Sequence, residues 1–373
     1  MENYNERYAR HYALSGFGFE GQQKLLQAKV LVIGAGGLGC PVLQYLAAAG
    51  IGTMGIVDHD YISLSNLQRQ TLYSTEDIGK MKVEVASCKL QNLNPEIKIE
   101  THQVELNSKN AWEIISEYDI VVDCTDNFAA RYLINDACVL LGKPLIFGAI
   151  FKYEGQVAVF NSGLKDENKT NYRHLFPNPP KPEEVQNCNE VGVLGVLPGM
   201  IGTMQANEVI KLITGIGEIL DGKLLTFSML NYESFIMEIS NENVTENLIP
   251  RSREAFEATD YNFLCGISMN NVEDLNPDNF AEKISDKDTI TIDVREVDEL
   301  PKADFVHIQI PLSELNERLS DIKEEQIILF CQSGKRSLKA AEILMEHFGN
   351  DKKISHLKGG ITALQKRKNE QSN

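Results

Sequence analysis

The chain has 373 residues, is 43% hydrophobic and carries a formal net charge of −17. That length and apolar content suit two domains with buried cores. No stretch reaches the ~20 uninterrupted apolar residues of a membrane helix, and an acidic surface repels phosphate backbones, so neither a bilayer nor nucleic acid is an expected partner. Seven cysteines, an odd number, form no disulfide framework, and the opening residues are too polar for a secretory signal. A reducing cytoplasm is the expected compartment.

In chain order, Lys29 to Ile33 is a β-branched apolar run that predicts a buried parallel strand, followed by the glycine-rich segment Gly34 to Gly39 and a helix over Pro41 to Ala49. Further strands are expected at Met54 to Val57, Ile120 to Val122, Leu145 to Phe147 and Gln156 to Phe160, with a helix over Ala129 to Leu141. Ser162 to Asn189 is polar and proline-rich and reads as a long exposed loop. A helix over Gly199 to Thr214 and strands around Leu224 to Phe227 and Ser234 to Ile239 follow. Residues 246–268 have no clear period and read as a linker between a domain over 1–245 and a second over 269–373. The second has strands at Thr289 to Ile292 and Ile327 to Phe330 and a helix over Ser337 to His347. Alternation of strand and helix makes the fold class α/β, a Rossmann-like open sheet with a second, smaller α/β domain.

Gly34-Ala35-Gly36-Gly37-Leu38-Gly39 follows a strand and opens a helix, where backbone N–H groups can approach a phosphate. Asp58, ending the next strand, is placed to accept from ribose hydroxyls. This much suits NAD as well as ATP, or a turn made glycine-rich only for packing. The segment from Asp58 to Gln70 favours ATP, because Asn66 and Arg69 would share a helical face and Lys82 adds a second cation. A triphosphate that loses pyrophosphate needs such clamps. Asp126 is a candidate Mg2+ carboxylate, with a helix N-cap as the alternative.

GAGGLG, DHDYISLSNLQRQ, GKMKVEVA and DCTDN, in this order and spacing, resemble the MoeB/ThiF family, bacterial relatives of ubiquitin-activating enzymes, over about residues 3–245. The resemblance implies adenylation of the C-terminal glycine carboxylate of a small ubiquitin-fold sulfur carrier. By resemblance, Gly34, Gly36, Gly37 and Gly39 form the nucleotide turn, Asp58 holds ribose, Asn66, Arg69 and Lys82 bind phosphates, and Asp126 sits at Mg2+. Arg10 matches an arginine that reaches ATP from the partner subunit, which implies a homodimer; without the resemblance it reads as a solvated helix-face charge.

Phe330-Cys331-Gln332-Ser333-Gly334-Lys335-Arg336-Ser337 lies between strand and helix, where N–H groups and nearby cations favour a thiolate or persulfide. It resembles the active-site loop of rhodanese sulfurtransferases, with Asp293-Val294-Arg295-Glu296 and Leu357-Lys358-Gly359-Gly360-Ile361 as accompanying motifs; Leu364 replaces a common tryptophan. This implies that Cys331 carries a persulfide from an upstream donor such as a cysteine desulfurase. Cys188 matches a cysteine that can hold the carrier covalently, while Cys40, Cys88, Cys124 and Cys138 read as core residues. The family's two zinc-binding CxxC pairs read here as Asn171-Tyr172-Arg173-His174 and Asn262-Phe263-Leu264-Cys265, so no structural zinc is expected. The combined modules imply a thiocarboxylate product on a MoaD-like carrier for molybdopterin synthesis, or on a ThiS-like carrier for thiazole. Two rivals are an NAD(P) oxidoreductase, which would leave Ser65 to Gln70 and the cysteine loop without a purpose, and a non-catalytic carrier scaffold, against which intact Arg69, Lys82, Asp126 and Cys331 argue.

Overall fold

Lys29–Ile33 forms β1, in the interior of an eight-stranded sheet. Its neighbours are β2 (Thr53–Val57) on one side and β4 (Ile120–Asp123) on the other, both parallel to it. Beyond β2 lies β3 (Lys98–His102); beyond β4 come β5 (Leu145–Phe151), β6 (Glu154–Phe160), β7 (Lys223–Ser228) and β8 (Ser234–Glu238), giving the order β3-β2-β1-β4-β5-β6-β7-β8. The last three pairings are antiparallel. The chain leaves β1 toward β2 and returns on the other side as β4, so the carboxyl ends of β1 and β4 make a topological switch point, where open α/β sheets bind ligands.

Alternation along β1 divides the core. Val30 and Val32 face helices Gly39–Ala49 and Val196–Thr214, while Leu31 and Ile33 face helices Ala111–Ser116 and Phe128–Leu141. Such two-sided burial is why these strands read as continuous apolar runs.

The structure, a computed structural model, describes residues 6–162, 169–179, 192–240, 248–261, 272–284, 289–297, 299–305, 307–348 and 352–371. Two units are separated between Ile267 and Ser268. Two of the expectations above need correction. Within the expected exposed loop, Thr170 to Arg173 are buried, and Tyr172–Leu175 is a helical turn. Within the expected linker, helix Arg253–Ala258 belongs to the first unit, because Phe256 and Tyr261 are buried in its core. Both departures meet at one ion pair. Arg173 donates twice to Asp136, at 2.8 and 2.7 Å, and the Tyr261 hydroxyl donates to the same carboxylate at 2.9 Å.

The second unit is a five-stranded parallel sheet in the order β11-β10-β12-β13-β9. Its strands are β9 (Val272–Leu275), β10 (Thr289–Asp293), β11 (Ile308–Gln309), β12 (Gln326–Phe330) and β13 (Lys353–Leu357). Ile327 and Leu329 of the central β12 pack with Ala340, Ala341 and Leu344 of helix Lys335–Phe348, and Ile328 and Phe330 pack on the opposite face with Phe280.

Candidate functional site

In the first unit the glycine turn leaves β1 and is pinned by its surroundings. Gly34 has φ +96°, and a Cβ there would meet the Cys124 carbonyl oxygen at 2.7 Å. A Cβ on Gly39 would meet the Gly34 oxygen at 1.9 Å. These two glycines are required by packing. Gly36 is not, since an added carbon there would meet only Gln70 Nε2, at 3.6 Å; Gly37 is intermediate, its added carbon falling 3.1 Å from Pro198 Cβ, a tight contact that Pro198 would have to relieve. Asp58 braces the turn, one carboxylate oxygen accepting from the Ala35 N–H and the other from the Asp60 N–H, both at 2.8 Å. Tyr73 donates its hydroxyl to the Ala35 carbonyl at 2.8 Å.

Cations gather beside this turn. The Arg69 side chain runs next to Gly37, Cγ lying 3.5 Å from the Gly37 Cβ position, and its guanidinium donates to the Ser65 carbonyl. Lys82, buried at the start of helix Lys82–Leu93, is held by Asp60 at 2.7 Å. The expected common helical face of Asn66 and Arg69 is instead a short 3-10 turn, Leu64–Asn66, in which the Asn66 side chain accepts from the Ser63 N–H.

At the end of β4, Asn127 and not Asp126 caps helix Phe128–Leu141, accepting from the Ala130 N–H at 2.8 Å. This removes the N-cap alternative for Asp126, whose side chain is exposed at the switch point. Asp123 is fully buried, and its carboxyl is pushed up by burial despite Arg131 nearby and two hydrogen bonds from Thr125. Among the described residues, Gln70 Oε1, next to Gly36, and Arg131 Nε are buried without a hydrogen-bond partner. Such atoms in a region of converging charges suit a polar ligand. Arg131 is not distinguished by sequence pattern, and Asp60 and Gln70, which lie within the Asp58–Gln70 segment, are singled out inside it only by their placement.

Arg10 lies away from this turn. Its helix, Ala9–Tyr12, is anchored by Tyr8, which packs on Gly50 and accepts from Asn94 Nδ2 at 2.9 Å. Gly50 caps the far end of helix Gly39–Ala49, whose 11 residues span about 16 Å. Exposed Arg10 is thus at the opposite end of that helix from the glycine turn.

In the second unit the cysteine loop leaves β12. Cys331 Sγ accepts from the Gly334 N–H at 3.2 Å and the Ser337 N–H at 3.4 Å, so the expected convergence of amides on sulfur is present. The expected help from Arg336 is not, because that guanidinium is paired with Glu299, at 2.7 Å for one of two contacts. Arg336 holds the Glu299 carboxyl down at about 2, so the pair persists across the neutral range. The Lys335 side chain lies outside the described residues. Buried Arg295 is likewise paired, with Asp293 at 2.7 Å, and reaches Gln332 Oε1 at 3.3 Å. The second glycine of the Gly359-Gly360 pair allows close approach: a Cβ on Gly360, φ +62°, would meet the Cys331 carbonyl oxygen at 2.3 Å.

Cys188, Asn262 and Cys265 lie outside the described residues. Asn171 and His174 are used locally, Asn171 accepting from the Arg173 N–H and His174 Nδ1 from the Asn171 N–H. Burial pushes the Cys40 thiol up to about 12 and raises Cys124 and Cys138, as inert core thiols require. Cys88 differs from the expected core position, being exposed on helix Lys82–Leu93. No helix is long and apolar enough to cross a membrane among the described residues.

The sequence pattern of the ThiF family matches residues 8–248. The chain belongs to the ThiF family. A rhodanese-like domain matches residues 276–367. A probable adenylyltransferase/sulfurtransferase MoeZ of Mycobacterium tuberculosis is 40% identical over 374 residues, covering 96% of this chain and 92% of that protein. A sulfur carrier protein adenylyltransferase of Thermus thermophilus is 48% identical over 269 residues, covering 70% of this chain and 97% of that protein. An adenylyltransferase and sulfurtransferase MOCS3 of Drosophila grimshawi is 39% identical, covering 96% and 83%. Among solved structures, E. coli MccB with ATP superposes with a TM-score of 0.55 at 25% identity, covering 65% of this chain and 74% of that one. This ThiF-family chain is an enzyme with an adenylyltransferase domain that uses ATP and a rhodanese-like sulfurtransferase domain.

Proposed function

We propose that the first unit adenylates the C-terminal glycine of a ubiquitin-fold sulfur carrier, that the Cys331 persulfide attacks the acyl-adenylate and expels AMP to form an acyl disulfide, and that a second thiol cleaves this disulfide to release a thiocarboxylate. The observation that carries this is the meeting of the braced glycine turn with Arg69, Asp60-held Lys82 and exposed Asp126 at one switch point, in a chain that also cradles a cysteine sulfur in amides. A carboxylate is a poor electrophile, since its charge repels nucleophiles and oxide is a poor leaving group. Attack on the α-phosphate makes AMP the leaving group. The protein's task is then alignment and charge neutralisation. Gly36 leaves room for phosphate oxygens, Arg69 and Lys82 face the departing pyrophosphate, and Asp58 holds the ribose as well as the turn. Asp126, free of capping duty, fits a Mg2+ ligand, and the ion would neutralise phosphate charge.

Exposed Arg10, one helix length from its own turn, is suited to the turn of a second copy, which supports a homodimer with composite sites. β8 supports recognition of a protein: this edge strand exposes Phe235, Ile236 and Met237, with Tyr232 beside it. The carrier is MoaD-like, serving molybdopterin synthesis in the cytoplasm, with a ThiS-like carrier for thiazole as the alternative. The sulfur comes from a persulfide donor such as a cysteine desulfurase, and Cys188 is an accessory carrier-holding thiol.

The test is ATP–pyrophosphate exchange with purified MoaD-like and ThiS-like carriers supplied separately. Exchange that depends on one carrier's terminal glycine is the expected result and names the pathway. No exchange with either at millimolar Mg·ATP would overturn the adenylation assignment.

A further inference from the structure

Cys331 is fully buried, so its thiol proton needs a path when the sulfur is to become a nucleophile. The structure offers one that crosses the sheet. Cys331 Sγ lies 3.6 Å from Ser337 Oγ, which lies 3.2 Å from His356 Nδ1; His356 Nε2 lies 2.8 Å from Asp274 Oδ1. Four residues spread over 82 positions are brought together by register: His356 on β13 pairs with Leu329 on β12 and with Asp274 on β9. His356 is buried, on the same face as Ile354 and the core under helix Lys335–Phe348, while the Asp274 side chain is 48% exposed.

We propose that Ser337, His356 and Asp274 form a proton relay that converts the Cys331 thiol to the thiolate before sulfur loading and restores the thiol afterwards. It rests on the sulfurtransferase role of Cys331. The hydrogen bonds admit two states. Lys358, 2.7 Å from Asp274, together with His356 holds that carboxyl below its usual range, so Asp274 remains an acceptor and Nε2 carries a proton. Nδ1 of the neutral ring is then the acceptor facing Ser337. In the resting state the thiol donates to Ser337 Oγ, and the Ser337 hydroxyl proton, which also lies within reach of the Gly334 carbonyl oxygen at 3.0 Å, turns to Nδ1 at 3.2 Å. In the active state the thiol proton has passed to Oγ while the hydroxyl proton has passed to Nδ1. This leaves a Cys331 thiolate, an intact Ser337 hydroxyl now donating to sulfur, and an imidazolium between Ser337 and Asp274. The thiolate attacks the terminal sulfur of a donor persulfide, R–S–SH. The new Sγ–S bond forms as the donor S–S bond breaks, and R–S⁻ leaves with the electron pair. When a nucleophile breaks the bond between Sγ and the added sulfur, Cys331 leaves as the thiolate with the electron pair, and the proton held on His356 returns to it through Ser337.

The other charged groups around this loop are committed elsewhere. Arg336 pairs with Glu299, Arg295 with Asp293 and Lys358 with Asp274, while Glu273 on β9 reaches Ser355 on the opposite face of β13. His356 is the one titratable base joined to Sγ by hydrogen bonds among the described residues with described side chains.

The test is the pH profile of iodoacetamide alkylation at Cys331 in the full-length chain, followed by mass spectrometry of its peptide, for the native protein and for His356→Gln, Ser337→Ala and Ser337→Thr. An unassisted thiol ionises near ~8.5, leaving about 1% thiolate at pH 6.5. The expected result is that His356→Gln and Ser337→Ala react at least about tenfold slower than the native chain at pH 6.5 and equally at pH 9.5, with Ser337→Thr restoring the native profile. A packing defect alone would alter the rate at every pH and would not be rescued by a hydroxyl. Profiles for Ser337→Ala and His356→Gln that superimpose on the native one, or that drop equally at both pH values, would overturn the relay. Thiocyanate formation from thiosulfate and cyanide by the native chain tests the underlying sulfur transfer separately: its absence removes that role whatever the alkylation profiles show.

Discussion

Arg173→Met tests what holds the segment around residue 173 in place. Asp136 is fully buried and Arg173 nearly so, and the two form a bidentate pair at 2.8 and 2.7 Å. The Asp136 carboxylate also accepts from Tyr261 at 2.9 Å and from Asn135 Nδ2 at 3.0 Å. Removing the guanidinium strands a buried anion with only neutral donors, a defect that costs about 3–5 kcal/mol. For a unit of this size each kcal/mol moves Tm by roughly 2–4 °C, so the expected loss is roughly 6–20 °C. Asp136→Leu in the same background removes the stranded charge and should recover at least half of the loss, because an apolar replacement of a buried pair is often near neutral. The assay is built in. The chain's one tryptophan, Trp112, has its ring 6.3 Å from Phe256, which lies 5.7 Å from Tyr261. Tryptophan fluorescence during urea unfolding therefore follows this region of the first unit alone. A loss under about 1 kcal/mol for Arg173→Met would refute the ion pair as anchor. A comparable loss on adding a chelator to the native chain would assign the anchoring to a metal.

Three further outcomes are expected. Gly39→Ala should unfold or misfold the turn, since its Cβ would sit 1.9 Å from the Gly34 oxygen, whereas Gly36→Ala should move Tm by no more than about 1 °C and raise the KM for ATP in pyrophosphate exchange. Arg69→Ala should slow that exchange by about 10²-fold while leaving the melting curve unchanged, because the side chain's hydrogen bond is a single exposed contact to Ser65. Asp77 is held well below the usual carboxylate range by Lys89 and Ser74, so its contribution is present above the unfolded value near pH ~4 and is lost as pH falls through its lower folded value. Asp77→Asn should accordingly reduce stability at pH 7 more than at pH 2, as measured by the acid limb of urea midpoints.

The buried strands of the first unit were legible because both faces are covered and every position is apolar. β3 was not: it is an edge strand, partly exposed, and Lys98, Glu100 and His102 give it no apolar run. Helix Arg253–Ala258 was misassigned for a related reason, since a six-residue helix that buries Phe256 alone has no period to detect. The glycine turn and its cations lie within 50 residues and could be read as linear motifs. The cysteine loop could also be read, but its partners could not. Ser337 looked like a helix start and His356 like one polar residue in a short strand; only the parallel register of β12, β13 and β9 joins them.

The two sites handle charge in opposite ways, and the difference follows from what each must hold. A leaving pyrophosphate is stabilised best by full positive charges, and the first unit fixes Lys82 with Asp60 so that it can be aimed without a flexible search. A sulfur nucleophile is served differently. A full charge at the sulfur would deepen the thiolate but lower its nucleophilicity, which falls as its pKa falls. The second unit keeps the two guanidiniums beside the cysteine loop in pairs, Arg336 with Glu299 and Arg295 with Asp293, and leaves Sγ to two amides and one hydroxyl. Partial charges then hold the anion loosely enough to react, and the proton it gives up needs a base of its own, which is the position His356 occupies.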